Sequence, residues 1–541
     1  MSFVVEANVI DVVSHDIYPA RINIKGKKIV KIEKTQKNFK QYILPGLIDA
    51  HIHIESSMMP PSEFARIAVF HGTTATVSDP HEIANVMGMA GINYMLRDAA
   101  KVPFKFFFGA PSCVPATDFE TAGAKLKSKE IEELLKKPEI KYLSEMMNFP
   151  GVIFKSNDVM EKIALAKKYR KPIDGHAPGL RGEQLEKYIS AGITTDHEAY
   201  SIEEAHEKVS LGMKILIREG SAAKNYEALH TLIADFPEMV MFCSDDKHPD
   251  DLISGHINKL IQRAVADGHD LIDTIRAATL NPVKHYGLEC GLLQEGDFAD
   301  FIVIDSPANF NIIQTCINGE IVFDNGKTLM PPQKPELINN FKAKKKCPED
   351  FAVPPISKKI RVIEAMDGEL ITNELTRSMR SRKNMLVPNI SKDILKLTVV
   401  NRYKNAKPSV AFIKNYGLKK GAIASSVAHD SHNIIALGTD DNYICTAVNT
   451  IIESKGGMVY VGENEIIHLP LPIAGLMSDL SCSEISELYT KLEQKTKESG
   501  CSLNSPFMTL SFMSLLVIPK LKLSDKGLFD GSKFEFCNLY I

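Results

Sequence analysis

Between Leu44 and about Thr279, short β-rich runs alternate with helical stretches, and this alternation narrows the possible folds more than any other feature of the chain. The runs are Gly46–His53, Thr73–Ser78, Lys105–Ala110, Ile140–Met146, Pro172–His176, Ile193–His197, Lys214–Arg218 and Met239–Ser244. Strands joined through helices pair in parallel, because each connection must cross back over the sheet. Eight such units predict an α/β chain built on a (β/α)8 TIM-like barrel, an architecture of about 250 residues. The strand count disfavours a doubly wound open sheet. Ser201-Ile-Glu-Glu204 reads as a capping box opening one of the helices.

The barrel is expected over residues 44–290. Val/Ile-rich strand patterns in 1–43 and 291–330 predict one small β-domain built from both barrel flanks. Residues 331–355 are rich in Pro and Lys and read as a linker, and 356–541 as a C-terminal α+β domain. Hydrophobic residues are 44% and charged residues 24%, as in soluble globular proteins. A formal net charge of -3 leaves no basic excess for nucleic acid or an anionic membrane. No apolar run approaches the ~20 residues of a membrane span, and the opening MSFVVEANVIDVV is unlike a signal peptide. The nine cysteines never form C-x-x-C and read as mostly free thiols in a reducing cytoplasm. A homodimer is the expected assembly, because most soluble oligomers are closed homo-oligomers.

His51 and His53 close the first run. Side chains at i and i+2 share a face of a strand, and active sites of such barrels sit at the C-terminal ends of the strands. Imidazole suits first-row transition metals. Glu145, His176, His197 and Asp245 each follow an apolar run and precede a turn or helix, at the ends of the fourth, fifth, sixth and eighth runs. Asp246 follows Asp245 directly and stays a rival for its place, ranked second because its side chain would face away on a strand. Glu55 has the parity of His51 and His53, Asp79, His81 and Glu82 follow the second run, and Arg218 and Glu219 close the seventh. These could hydrogen-bond a substrate or steady a ligand imidazole. His429 and His432 flank Asp430 and Ser431 in the C-terminal region and could line the mouth of the site. There is no G-x-x-x-x-G-K-[ST], no strand-borne G-x-G-x-x-G and no H-x-E with P-C-x-x-C, so nucleotide-loop and cytidine-deaminase-type zinc chemistry are excluded.

The order H-x-H, acidic residue, His, His, Asp resembles the metal-dependent amidohydrolase superfamily. Within it, PGLIDAHIHIESSMM, SDPHEIANVMG, SEMMNFPGV, DGHAPGL, TTDHEA and CSDDKHPDDL resemble the adenine deaminase family of bacteria and archaea, as do VVNRYKNA, SSVAHDSHN and SPFMTLSFM in the last third. The resemblance implies a binuclear centre: His51 and His53 with Asp245 on one metal, His176 and His197 on the other, and Glu145 bridging both, where many relatives carry a carboxylated lysine. Lys141 lies four residues earlier on the same run and is not assigned the bridge. Two divalent ions are implied, Mn(II) or Fe(II), with Zn(II) compatible. The implied reaction is hydrolytic deamination of adenine to hypoxanthine and ammonia by a metal-activated hydroxide, a purine-salvage step on a small purine base. Asp245 would carry the proton and His81 and Glu82 would assist. The alternative is an amidohydrolase acting on a cyclic amide or N-acyl substrate with the same centre.

Overall fold

The computed structural model describes residues 2–221 and 223–541. The chain divides into two compact units, one of residues 1–81, 93–113 and 126–334, the other of 82–92, 114–125 and 335–541. No helix among the described residues is long and apolar enough to cross a membrane.

The first unit contains eight parallel strands in chain order: β1 (Leu47–Ile52), β2 (Thr73–Ser78), β3 (Lys105–Ala110), β4 (Ile140–Met146), β5 (Ile173–Gly175), β6 (Thr195–Asp196), β7 (Lys214–Arg218) and β8 (Val240–Cys243). Strands β1 to β5 form one continuous parallel ladder and β6 to β8 another. Backbone hydrogen bonds join the two arcs at both seams. Thr194 N donates to Ile173 O at 3.0 Å beside β5 and β6, and Asp245 N donates to His51 O at 2.9 Å where β8 meets β1.

The barrel interior is filled by Ile48, Ala50, Ala75, Val77, Phe107, Tyr142, Leu216, Met241 and Cys243. The alternate residues Leu47, Ile215, Ile217, Val240 and Phe242 pack outward with helix residues such as Leu260, Ile261 and Ile275. This two-sided burial explains the near-continuous apolar runs of the strands.

Strands β5, β6 and β8 are shorter than their sequence runs, because side chains take over the backbone groups at their ends. His176 N donates to the Tyr188 hydroxyl at 3.1 Å, and Asp196 accepts from Ala177 N, Glu198 N and Ala199 N. Ser201 caps the helix Ile202–Ser210 by accepting from Glu204 N. The reciprocal half of the expected capping box is not made. The Glu204 carboxylate instead accepts from Lys208 Nζ at 2.6 Å and Gly179 N at 2.9 Å.

Both flanks of the barrel enter one eight-stranded sheet. Strand Phe301–Ile304 runs antiparallel to Tyr42–Pro45, with Ile302 opposite Leu44. In the second unit an eight-stranded sheet, with Ile394–Val400 between Ser409–Lys414 and Ile434–Gly438, is covered by helix Asp441–Ser454. Ile444, Ala447, Val448 and Ile451 of that helix meet Ala422, Ala424, Ala436 and Val459 of the sheet. Residues 335–355, from the stretch read as a linker, belong to this unit, and Phe351 is buried in the same core.

Candidate metal centre and active site

The C-terminal ends of β1, β4, β5, β6 and β8 converge on a buried cluster of imidazoles and carboxylates. Ile48 and Ala50 already point into the barrel, so uninterrupted pleating would send His51 outward. A break in register between Asp49 and Ile52 shifts the parity. His51 then lies with its ring stacked on that of His197, centroids 4.1 Å apart.

Asp245, one step past the end of the β8 run, has a left-handed backbone with φ 55°. Its N and O bond to His51 O and His53 N, at 2.9 and 3.2 Å. Oδ1 consequently lies 3.3 Å from His51 Nε2 and 3.1 Å from His53 Nε2. Asp or Asn tolerates this backbone region better than most side chains.

Glu145 spans the two halves of the cluster. Its Oε1 is 3.4 Å from His53 Nε2, while Oε2 is 2.7 Å from His176 Nδ1 and 3.3 Å from His197 Nε2. Ser112 Oγ donates to the Glu145 backbone carbonyl at 2.5 Å. Lys141, on the same strand, lies over the Phe107 ring instead.

Burial pushes the Glu145 carboxyl up, but the His176 and His197 imidazoles outweigh it and hold the group well below the usual carboxylate range. Burial likewise opposes ionisation of Asp245, and Arg218, His51 and His53 hold it well below that range. His53 and His197 are disfavoured as cations by burial, yet the surrounding carboxylates raise both well above the ordinary histidine value. His51 goes the other way, lowered by burial and by its neighbour His197. A cluster that stabilises extra positive charge in this way is suited to hold cations.

The donor set fits divalent metal. His53 Nδ1 is 3.1 Å from Asp79 O, which keeps a ring proton on Nδ1 and turns Nε2, the nitrogen free to ligate, toward Glu145 and Asp245. Such a backing bond is usual for a ligating imidazole. His51 is fully buried; its Nε2 faces only the Asp245 carboxylate at 3.3 Å, and its Nδ1 has no hydrogen-bond partner among the described residues. An unsatisfied buried polar group is costly, and coordination of a metal would relieve that cost. His51, His53 and Asp245 form one group of closely placed donors, His51, Glu145 and His197 a second, and His176, His197 and Glu198 a third.

The amidohydrolase family pattern matches residues 42–322, and the adenine deaminase C-terminal domain matches residues 369–535. Adenine deaminase from Sulfurovum sp. (strain NBC37-1) is 56% identical over 532 residues, covering 98% of both chains. The chain belongs to the adenine deaminase family. The adenine deaminase of Methanosarcina mazei is 53% identical over 545 residues, again covering 98% of each chain. Among solved structures, dihydropyrimidinase from Brevibacillus agri NCHU1002 aligns with a TM-score of 0.48 and 14% identity, over 61% of this chain and 96% of that one.

The remaining residues expected at this family member's site divide by their partners. His81 Nδ1 is 3.1 Å from Asp79 Oδ2 and 3.4 Å from Glu145 Oε1, so both Asp79 and His81 join the cluster. Glu55 is buried in the turn Ile54–Ser57 that follows His53. Asp246 turns to Ser56, whose Oγ donates to Oδ1 at 2.5 Å, so its carboxylate is engaged away from the histidines. Glu219 pairs with Arg263 at 3.6 Å and with no member of the histidine cluster among the described residues. Glu82, His429 and His432 meet within the second unit, His429 Nδ1 lying 2.8 Å from Glu82 Oε1.

Arg218 is buried and committed to carboxylates. Its Nη1 donates to Asp245 Oδ2 at 2.6 Å and Glu198 Oε1 at 2.5 Å, and Nη2 reaches Glu198 Oε2 at 3.3 Å. Glu198, which the sequence reading passed over, also lies 3.4 Å from His197 Nε2. The available signal was its position directly after His197 in DHEAY. Asn225 was missed as well. Its Oδ1 accepts from Arg218 N at 2.7 Å while Nδ2 donates to His197 O and Ala199 O, tying the ends of β6 and β7 together.

Proposed function

We propose that this chain hydrolyses adenine to hypoxanthine and ammonia, adding one water across C6 and releasing the exocyclic amine. The observation that carries this reading is the full-length likeness to adenine deaminases, which takes in the barrel and the C-terminal domain together. The array of four imidazoles, His51, His53, His176 and His197, with the carboxylates of Glu145 and Asp245 at the barrel's strand ends supplies matching chemistry.

Two divalent ions, Mn(II) or Fe(II), with Zn(II) also compatible, would be held by His51, His53 and Asp245 on one side and His176 and His197 on the other, with Glu145 spanning both. They would supply the Lewis acidity that makes water a nucleophile near neutral pH. The protein's own groups divide the remaining work. Asp245 takes a proton from the attacking water at Oδ1 and returns it to the departing amine, while Arg218 keeps hold of Oδ2. Glu82, next in the chain to His81, moves a proton at a ring nitrogen of the purine. His81 is backed by Asp79 for orientation.

The test is kcat/KM for adenine, adenosine, AMP, cytosine and guanine with metal-loaded enzyme. Adenine is expected to lead, with adenosine and AMP poor substrates, because a ribose must pass whatever groups pair with the purine edge. Faster turnover of adenosine or cytosine than adenine would overturn the substrate assignment.

A further inference from the structure

Glu82, His429 and His432 place three donor atoms close enough to share a cation, but the proton count on His432 argues for a different use. The backbone N–H of Ala428 donates to His432 Nδ1 at 3.2 Å. An Nδ1 that accepts carries no proton, so in the neutral ring the proton sits on Nε2. Nε2 is in direct contact with Glu82 Oε2. A protonated Nε2 has no lone pair for a metal, and the group it faces is the Glu82 carboxylate. Burial holds His432 below the ordinary histidine value despite the facing carboxylate, which keeps the ring neutral and this tautomer in place.

The backbone that carries the ring is held on several sides. His432 is fully buried and has a left-handed φ of 53°. Such a backbone persists where the surroundings over-determine it, commonly beside functional groups. His432 N donates to Ala428 O at 2.7 Å, and its own carbonyl accepts from buried Arg402 Nη1 at 3.1 Å. The Tyr403 hydroxyl donates to Ser431 O at 2.5 Å, and Asn433 Nδ2 donates to Thr121 O at 2.9 Å. A loop so constrained aims its side chains accurately. On the opposite oxygen of Glu82, His429 Nδ1 stands at 2.8 Å with its ring stacked on Phe512.

We infer that His432 is a positioning residue: it donates from Nε2 to Glu82 and fixes that carboxylate's orientation, instead of binding purine or metal itself. The inference rests on the proposed part of Glu82 in adenine deamination. It replaces the expectation that His432 touches substrate.

The experiment compares metal-loaded wild type with His432→Leu, His432→Gln, Glu82→Gln and the Glu82→Gln/His432→Leu double variant. Misplacing a reacting group can cost about 10²-fold, so kcat for adenine should fall by about that factor in His432→Leu while KM stays nearly constant. Glutamine sets an amide N–H near the Nε2 position and should recover most of the loss. In the Glu82→Gln background, His432→Leu should add nothing. A raised KM at constant kcat, or an undiminished loss in the Glu82→Gln background, would overturn the inference. Independently of turnover, 15N spectra of histidine-labelled enzyme, assigned with His432→Gln, should show the Nε2–H tautomer at His432, and an Nδ1–H tautomer would refute it. Failure of the wild type on adenine alongside turnover of another substrate would instead sink the functional reading, with the nitrogen spectra still deciding the tautomer.

Discussion

Arg218 Nη1 lies 2.6 Å from Asp245 Oδ2, so the aspartate that faces His51 and His53 with one oxygen is held by a buried guanidinium on the other. Asp245 is thereby oriented from both sides. Glu198 shares the same guanidinium nitrogen at 2.5 Å, which places Arg218 between two buried carboxylates.

Removing that cation should be severe. Arg218→Ala strands Asp245 and Glu198 without their common partner, and breaking a buried ion pair typically costs about 3–5 kcal/mol. Urea denaturation should register a loss of that order, with Arg218→Lys in between, because lysine keeps the charge but lacks the fork. A stability unchanged in Arg218→Ala would mean that the carboxylates are neutralised without it.

Asp245 and Asp246 can be separated by amide substitution. Asp245→Asn is expected to lower turnover by roughly 10²–10⁴-fold, the usual worth of positioned proton transfer. Asp246→Asn exchanges only the acceptor of Ser56 Oγ and should stay close to wild type. The reverse order of effects would transfer the catalytic assignment to Asp246.

Metal content tests the spanning role of Glu145. Fully active protein should hold about two divalent ions per chain by elemental analysis, as expected for a two-metal hydrolase. His51→Ala and His176→Ala should each lose metal together with activity. Full activity at one ion per chain would rule out the binuclear arrangement.

Lys522 provides a pH test in the second unit. It is fully buried, donates to Leu370 O at 2.6 Å and Phe512 O at 3.0 Å, and burial lowers its pKa to about 7. Between about pH 7 and the free-lysine value near 10.4 the unfolded chain binds the extra proton, so stability should rise with pH through that window. Lys522→Met leaves two carbonyls unpaired at every pH, but it should abolish this component of the slope. Identical slopes from pH 6 to 10 in wild type and variant would show that Lys522 ionises normally.

Local pattern alone carried much of this protein. The apolar runs located all eight barrel strands, because a strand buried on both faces must be apolar along its length, and four runs match to the residue. The same pattern put His51, His53, Glu145, His176, His197 and Asp245 at strand ends, where the backbone leaves the ladder and side chains are released for chemistry. Tertiary structure decided what those side chains meet. The register break that turns His51 inward, the left-handed step that aims Asp245, and the Arg218–Glu198 pairing all depend on contacts between separate strands. The tautomer of His432 depends on one backbone N–H four residues away, and its partner Glu82 lies 350 positions earlier in the chain. Periodicity reports which face a residue occupies, since that is set by the backbone repeat. It holds no information on distant partners, because those are chosen only when the chain closes on itself and every buried charge and proton must find a counterpart.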